Sequence, residues 1–192
     1  LLRGEISSST GVSQVGISRN RDGQREIRLN GADVHKASEL AHQLPVLLLG
    51  PESVDLLIGP PGLRRRFLNW GLFHVEPKFS QLWHEANRCL QQRNSLLRQQ
   101  RGSQDSELMT WTRQLVVASE QLDTLRSTYI EKYRPVFETI MSDLGGRGDL
   151  AFEYYRGWSR DIDLAQIYEK DWESDQKKGF TQKGFQRADV RI

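Results

Sequence analysis

Two consecutive runs of apolar residues at helical spacing constrain this chain more than anything else in it. Phe79, Leu82, Trp83, Ala86, Leu90, Arg93 and Leu97 carry the first, with Cys89 on the same side. Leu108, Trp111, Leu115, Ala118, Leu122, Leu125, Tyr129 and Tyr133 carry the second. Steps of three and four residues put each set on one face of a helix. Only Arg101-Gly102-Ser103 breaks the pattern between them. Two long helices with so short a break predict an antiparallel hairpin in which each covers the other's stripe. The first should run from about residue 78 to 100, roughly 35 Å. Pro135 should kink or end the second, although Val136, Phe137, Ile140, Met141 and Leu144 carry the stripe on to Gly145-Gly146.

Upstream, the period is two. Leu1–Ile6, Gln14–Ser18 and Arg25–Leu29 alternate apolar and polar residues, and Asp22-Gly23 and Asn30-Gly31 are hairpin signals. Residues 1–34 therefore read as an antiparallel meander. His35–Leu44 is a short helix candidate ended by Pro45, Val46–Leu49 reads as a buried strand, and residues 50–53 read as a turn. Downstream, Leu150–Tyr155 reads as a strand, Ile162–Gln176 as a helix, and residues 179–192 as a loop entering a strand. The predicted class is α+β.

The chain has 192 residues, enough to bury a core. It has no run of about 18 apolar residues and no export signal at Leu1, so the expected place is cytoplasmic, with no membrane. The absence of an initiator Met, and a last strand with no visible continuation, suggest part of a longer protein. One cysteine, Cys89, excludes an internal disulfide. Charge is uneven. Residues 60–101 hold Lys78 and Arg64, Arg65, Arg66, Arg88, Arg93, Arg98 and Arg101 against Glu76 and Glu85, a local +6. The whole chain is at +2, so the remainder carries −4. A basic middle between acidic ends points to a local anionic partner.

Most enzyme signatures are missing. No Gly-Lys pair exists for a Walker A loop, and Gly59-Pro60-Pro61-Gly62 removes two N–H groups that a phosphate cradle needs. His74-Val75-Glu76 fits half of a zinc deaminase signature, but one cysteine cannot supply its Cys-x-x-Cys. The four histidines lack His-x-x-x-His spacing, and no Gly-x-Ser-x-Gly elbow is present. No metal ligand set and no catalytic residue is assigned. Arg64, Arg65 and Arg66 would point in different directions on a helix. They fit either phosphate contacts or a structural ion pair. Trp70 and Phe73 fit base stacking or packing of the helix, and His74 reads as a core histidine. Arg93, on the apolar side of its helix, and Asn94 read as structural.

Pro51-Glu52-x3-Leu56-Leu57-x-Gly59-x-Pro61-x2-Arg64-Arg65-x-Phe67-Leu68-Asn69 resembles the signature of the RecF family of bacterial DNA replication and repair proteins. The likeness runs on through Trp70-Gly71, Phe73-His74-x-Glu76-Pro77 and Leu90-x-Gln92-Arg93-Asn94-x-x-Leu97-Arg98. Asn30-Gly31 and Glu39-Leu40 fit upstream, and Thr181-x-x-Gly184-x-x-Arg187-x-Asp189 is similar to a Gly-Pro-His-Arg-x-Asp segment downstream. Pro60 stands where a small residue is usual, and Phe185-Gln186 stands where Pro-His is usual.

The resemblance implies a partial ABC-type ATPase head with an inserted helical lobe built on the hairpin. Residues 1–58 would be the β-rich part of the head, 59–146 the lobe, and 147–192 the return to the head. Walker A would lie before Leu1, and the signature motif and Walker B after Ile192. The full-length protein would bind ATP and Mg, and this part alone would bind neither and hydrolyse nothing. Pro51 and Glu52 would sit near an ATP-sensing loop. Arg64, Arg65, Arg66 and Lys78 would contact DNA, and Arg187 and Asp189 would contact the head. The implied partners are DNA at single-strand/double-strand junctions, RecO and RecR, and a second copy in an ATP-dependent homodimer. The implied work is recombinase loading at gaps and SOS induction. Two alternatives are a protein-docking module of that system and a scaffold without separate activity.

Overall fold

The computed structural model describes residues 1–8, 11–35, 37–48, 50–145 and 152–191. These fall into two compact units, Leu1–Pro51 and Glu52–Ile192. The first unit is the meander. Strands β1 (Leu2–Ser8), β2 (Gly11–Arg19), β3 (Arg25–Leu29) and β4 (Ala32–Val34) pair antiparallel in sequence order. Leu29 faces Ala32 across the tight turn at Asn30-Gly31, where both residues take positive φ (51° and 85°). Asn and Gly tolerate that conformation best, which fixes the register. The Asn30 side chain also accepts the Gln14 backbone N–H at 2.8 Å, tying the turn to β2. Helix α1 (Ala37–Gln43) follows.

The expected strand at Val46–Leu49 is not formed at its described positions. Val46, Leu47 and Leu48 belong to no strand and are 64%, 51% and 89% exposed; Leu49 lies outside the described residues. An apolar run becomes a strand only where a neighbouring backbone accepts its hydrogen bonds, and among the described residues Val46–Leu48 pair with no strand of the β1–β4 sheet.

A 3₁₀ turn, Pro51–Val54, carries the chain from the first unit into the second, where the short helix α2 (Asp55–Ile58) follows. Helices α3 (Pro61–Val75), α4 (Phe79–Arg98) and α5 (Ser106–Asp143) form its body. Pro61 occupies the first position of α3, where its missing N–H would have had no partner. Asp105 caps α5 by accepting the backbone N–H groups of Glu107 and Leu108 at 3.0 and 2.9 Å. Helices α4 and α5 make the most extensive helix contact in the chain. Their pairing is antiparallel: Leu97 packs with Leu108, Arg93 reaches Thr112, and Cys89 reaches Gln114. Leu68, Leu72, Ala86, Cys89, Leu115, Ala118 and Leu122 fill the core between the helices.

Pro135 does not end α5, which continues two further turns to Asp143. The carbonyl left without its usual donor belongs to Glu131, on an exposed face beside an exposed proline. Phe137 holds the continuation by packing 5.2 Å from the Phe152 ring. After the undescribed residues 146–151, β5 (Glu153–Tyr155) pairs antiparallel with β6 (Asp189–Arg191). Between them lie α6 (Leu164–Lys170) and α7 (Trp172–Lys178), so the helix expected over Ile162–Gln176 is broken at Asp171. The Leu150 and Ala151 end of the expected strand lies outside the described residues.

Candidate functional site

Four arginines, from α3, α4 and α5, hold the C-terminal segment Thr181–Arg191. Arg64 leaves the first turn of α3. Its Nε and Nη2 donate to the two carboxylate oxygens of Asp189 at 2.9 and 3.1 Å, a bidentate pair. Its Nη1 donates to the Gly59 carbonyl at 2.8 Å. The hydrogen bond to Asp189 raises the Arg64 pKa above its ordinary value. One turn thus serves two ends: the backbone break at Gly59-Pro60 exposes a carbonyl that helps orient the guanidinium which grips β6. Arg65 donates to the Ala188 carbonyl at 3.1 Å. Burial lowers its pKa, with Arg187 and Arg64 pushing in the same direction.

Arg93 and its partner Asp175 are each 1% exposed at the side chain and meet at 2.9 Å. The same guanidinium donates to Thr112 and Thr181 and lies 4.6 Å over the Tyr168 ring. Next to it, the Asn94 side-chain oxygen accepts both the backbone N–H and the hydroxyl of Thr181, at 2.8 and 2.7 Å. Asp175 also accepts the Gln182 backbone N–H at 3.1 Å. The two residues read as structural are thus the anchors of the loop after α7.

Arg126 was not singled out by the sequence pattern. It is 1% exposed and donates to the Phe185 carbonyl at 2.8 Å and to Asn69 Oδ1 at 3.0 Å. The available signal is its spacing: it falls between Leu122 and Ile130 at steps of four, on the buried face of α5. Burial lowers its pKa and raises that of neighbouring Tyr154. The nearby acid, Asp123, pairs with Arg156 at 3.6 Å.

The predicted site residues therefore separate. Arg64, Arg65 and Asp189 come together in the clamp. Arg66 is exposed and makes no hydrogen bond or ion pair among the described residues; it lines a groove with Arg65, Asn69, Trp83 and Arg126. Lys78 is exposed at the start of α4, outside that groove. Pro51 and Glu52 are exposed at the start of the 3₁₀ turn. Arg187 is exposed, its guanidinium 6.0 Å over the Phe180 ring. Trp70 and Phe73 are half-buried, Phe73 against the core, and Trp70 meets His74 edge-on at 4.9 Å.

Among the described residues, no group of three His, Cys, Asp or Glu side chains converges as a metal site, and the sequence has no Gly-Lys phosphate loop. No described helix is long and apolar enough to cross a membrane.

No protein-family model matches the chain. It is 43% identical over 190 residues to the DNA replication and repair protein RecF of Pseudomonas aeruginosa, covering 98% of this chain and 51% of that protein. It is 43% identical over 181 residues to RecF of Azotobacter vinelandii, covering 94% of this chain and 49% of that protein. Two solved structures share the fold. Both are of the recombination mediator protein RecF in the RecFOR pathway. The one with ATPrS has a TM-score of 0.79 and the one with ATP 0.81. Each is 19% identical to this chain and covers 98% of it, and the chain covers 54% and 53% of theirs. Sequence along nearly the whole length and fold agree: the chain's curated homologues are RecF proteins, and the chain spans about half the length of the curated relatives it matches.

Proposed function

We propose that this chain serves as part of a DNA replication and repair protein acting at single-strand gaps. In this reading residues 1–58 belong to an ATPase head, 59–146 form its helical lobe, and 147–192 return to the head. The full-length protein binds ATP and Mg, closes as an ATP-dependent homodimer on DNA at single-strand/double-strand junctions, and works with RecO and RecR in the cytoplasm to load recombinase. SOS induction belongs to the same reading. Pro51 and Glu52 lie on the ATP-sensing side of it. The observation that carries the proposal is the 43% identity to RecF along 98% of the chain.

Within this reading, the geometry supports a narrower choice of basic residues for the DNA contact. Arg64 is committed to Asp189, so it supports the reading as a strut between α3 and β6. Arg66 and Lys78 are exposed cations whose side chains have no hydrogen-bond or ion-pair partner among the described residues, and Arg65 keeps part of its guanidinium toward the groove. Phosphate contacts by such groups give salt-dependent, sequence-independent affinity. The test is anisotropy of a fluorescent gapped duplex across a salt series, with the unmodified chain and Arg66→Glu/Lys78→Glu. The proposal expects a log–log salt slope that shrinks by about one unit per lost phosphate contact. Binding that is absent, or has the same slope in the variant, would refute it. A docking-module reading is favoured by one observation: Met109 and Val117 on α5 are 42% and 50% exposed and border, with Trp172, a groove whose remaining lining mixes apolar and charged residues. Salt-insensitive partner capture lost in Met109→Glu would select that reading.

A further inference from the structure

Arg65, Arg66 and Arg126 converge on one groove of about 660 Å³, whose only acidic lining residue among those described is Asp55. The groove is of a size that holds small ligands. Its charge is not balanced from within. Arg126 is buried, yet its hydrogen-bond partners are neutral, the Phe185 carbonyl and the Asn69 amide oxygen. It has no ion pair with a carboxylate among the described residues. Arg65 spends one N–H on the Ala188 carbonyl, again a neutral acceptor. Arg66 spends none. Buried or half-buried cations without a counter-charge are costly, and the cost falls when an anion neutralises them. Burial lowers the pKa of both Arg65 and Arg126, although Asp189 near the first and Tyr154 and Asp123 near the second push the other way.

The donors are of the kind that oxyanions select. Planar guanidinium forks match phosphate oxygens. Asn69 accepts from Arg126 through Oδ1, which leaves its amide N–H groups for a ligand. The half-buried Trp83 lines the wall, with Phe185 buried behind it. Arginine beside aromatic surface is the chemistry that takes a phosphate together with an attached base. We infer that this groove binds a phosphate group, held between Arg65, Arg66 and the Asn69 amide over the buried Arg126. That chemistry is shared by the backbone phosphate of a nucleic-acid strand and by a free nucleotide. The inference rests on the proposed repair role only for this choice of sources. Because Arg126 also holds the Phe185 carbonyl and Arg65 holds the Ala188 carbonyl, an anion here would tighten the C-terminal segment as it binds.

The test is thermal melting of the full chain with inorganic pyrophosphate against sodium chloride at matched ionic strength, followed by calorimetric titration. Arg66→Gln is the main variant, since an exposed unpaired side chain is expected to leave melting in chloride unchanged. Arg134→Gln, exposed on α5 and outside the groove, controls for lost charge. The expected result is pyrophosphate stabilisation, with affinity about tenfold weaker in Arg66→Gln and unchanged in Arg134→Gln. Competition then separates the sources: oligothymidylate displacing pyrophosphate assigns a strand, and ATP displacing it where oligothymidylate does not assigns a nucleotide. No stabilisation, or equal affinity in both variants, overturns the inference. Groove-dependent pyrophosphate binding with no affinity for gapped duplex would leave the groove standing and remove the repair reading.

Discussion

Asp175→Ala removes the one carboxylate paired with a guanidinium that water does not reach. Arg93 and Asp175 are each 1% exposed at 2.9 Å, so the variant leaves a cation with only Thr112, Thr181 and the Tyr168 ring for company. Breaking a buried pair from one side costs about 3–5 kcal/mol, because the remaining charge stays desolvated and uncompensated. Asp175 also anchors the Gln182 backbone N–H at 3.1 Å, which adds an unsatisfied donor to the same loop. For a chain of this size, about 2–4 °C of melting temperature per kcal/mol gives a fall of roughly 10 °C. Urea unfolding followed by tryptophan fluorescence measures the loss, since Trp172 opens α7, the helix that carries Asp175. Replacing both partners, Arg93→Met with Asp175→Leu, should be less damaging than Asp175→Ala alone, because no charge is then stranded. A loss under about 1 kcal/mol in Asp175→Ala, or a double variant worse than the single, would refute the reasoning.

Gly71→Ala drives a Cβ into the Tyr129 hydroxyl. Overpacking should cost about 1–3 kcal/mol in denaturant unfolding, partly recovered by adding Tyr129→Leu. Tyr129, Tyr133, Tyr154 and Tyr168 all have pKa values raised by burial. The unfolded chain releases those protons near pH 10 while the folded chain keeps them, so stability is full below about pH 10 and falls above it. Unfolding free energy that stays flat to pH 11 would contradict that. The Cys89 thiol is buried and its pKa is raised by burial. Alkylation at pH 8 should be slow in native protein and fast in urea, and equal rates would show that the α4–α5 core is open.

The hairpin was legible because its signal is local. Each stripe repeats many times, and Arg101-Gly102-Ser103 breaks the pattern once. The meander was legible for the same reason, through Asn30-Gly31. Pro135 misled in part: the rule concerns one backbone hydrogen bond, and the packing of Phe137 on Phe152 outweighs it. Val46–Leu48 misled because strand formation depends on a partner that composition does not reveal. The clamp was visible only as ingredients. Arg64 and Asp189 are 125 positions apart, and no periodicity links them. Arg126 hid inside an apolar stripe, where a charge reads as an interruption until its acceptors are known.

The central claim is that the arginine triplet is divided, with Arg64 holding β6 and Arg66 facing an anionic partner. The most direct measurement compares Arg64→Gln and Arg66→Gln for both melting temperature and gapped-duplex affinity at two salt concentrations. The account predicts a lowered melting temperature in Arg64→Gln only, and a loss of salt-sensitive affinity in Arg66→Gln without a change in melting. Arg66→Gln melting early, or Arg64→Gln melting like the unmodified chain while losing DNA, would contradict it.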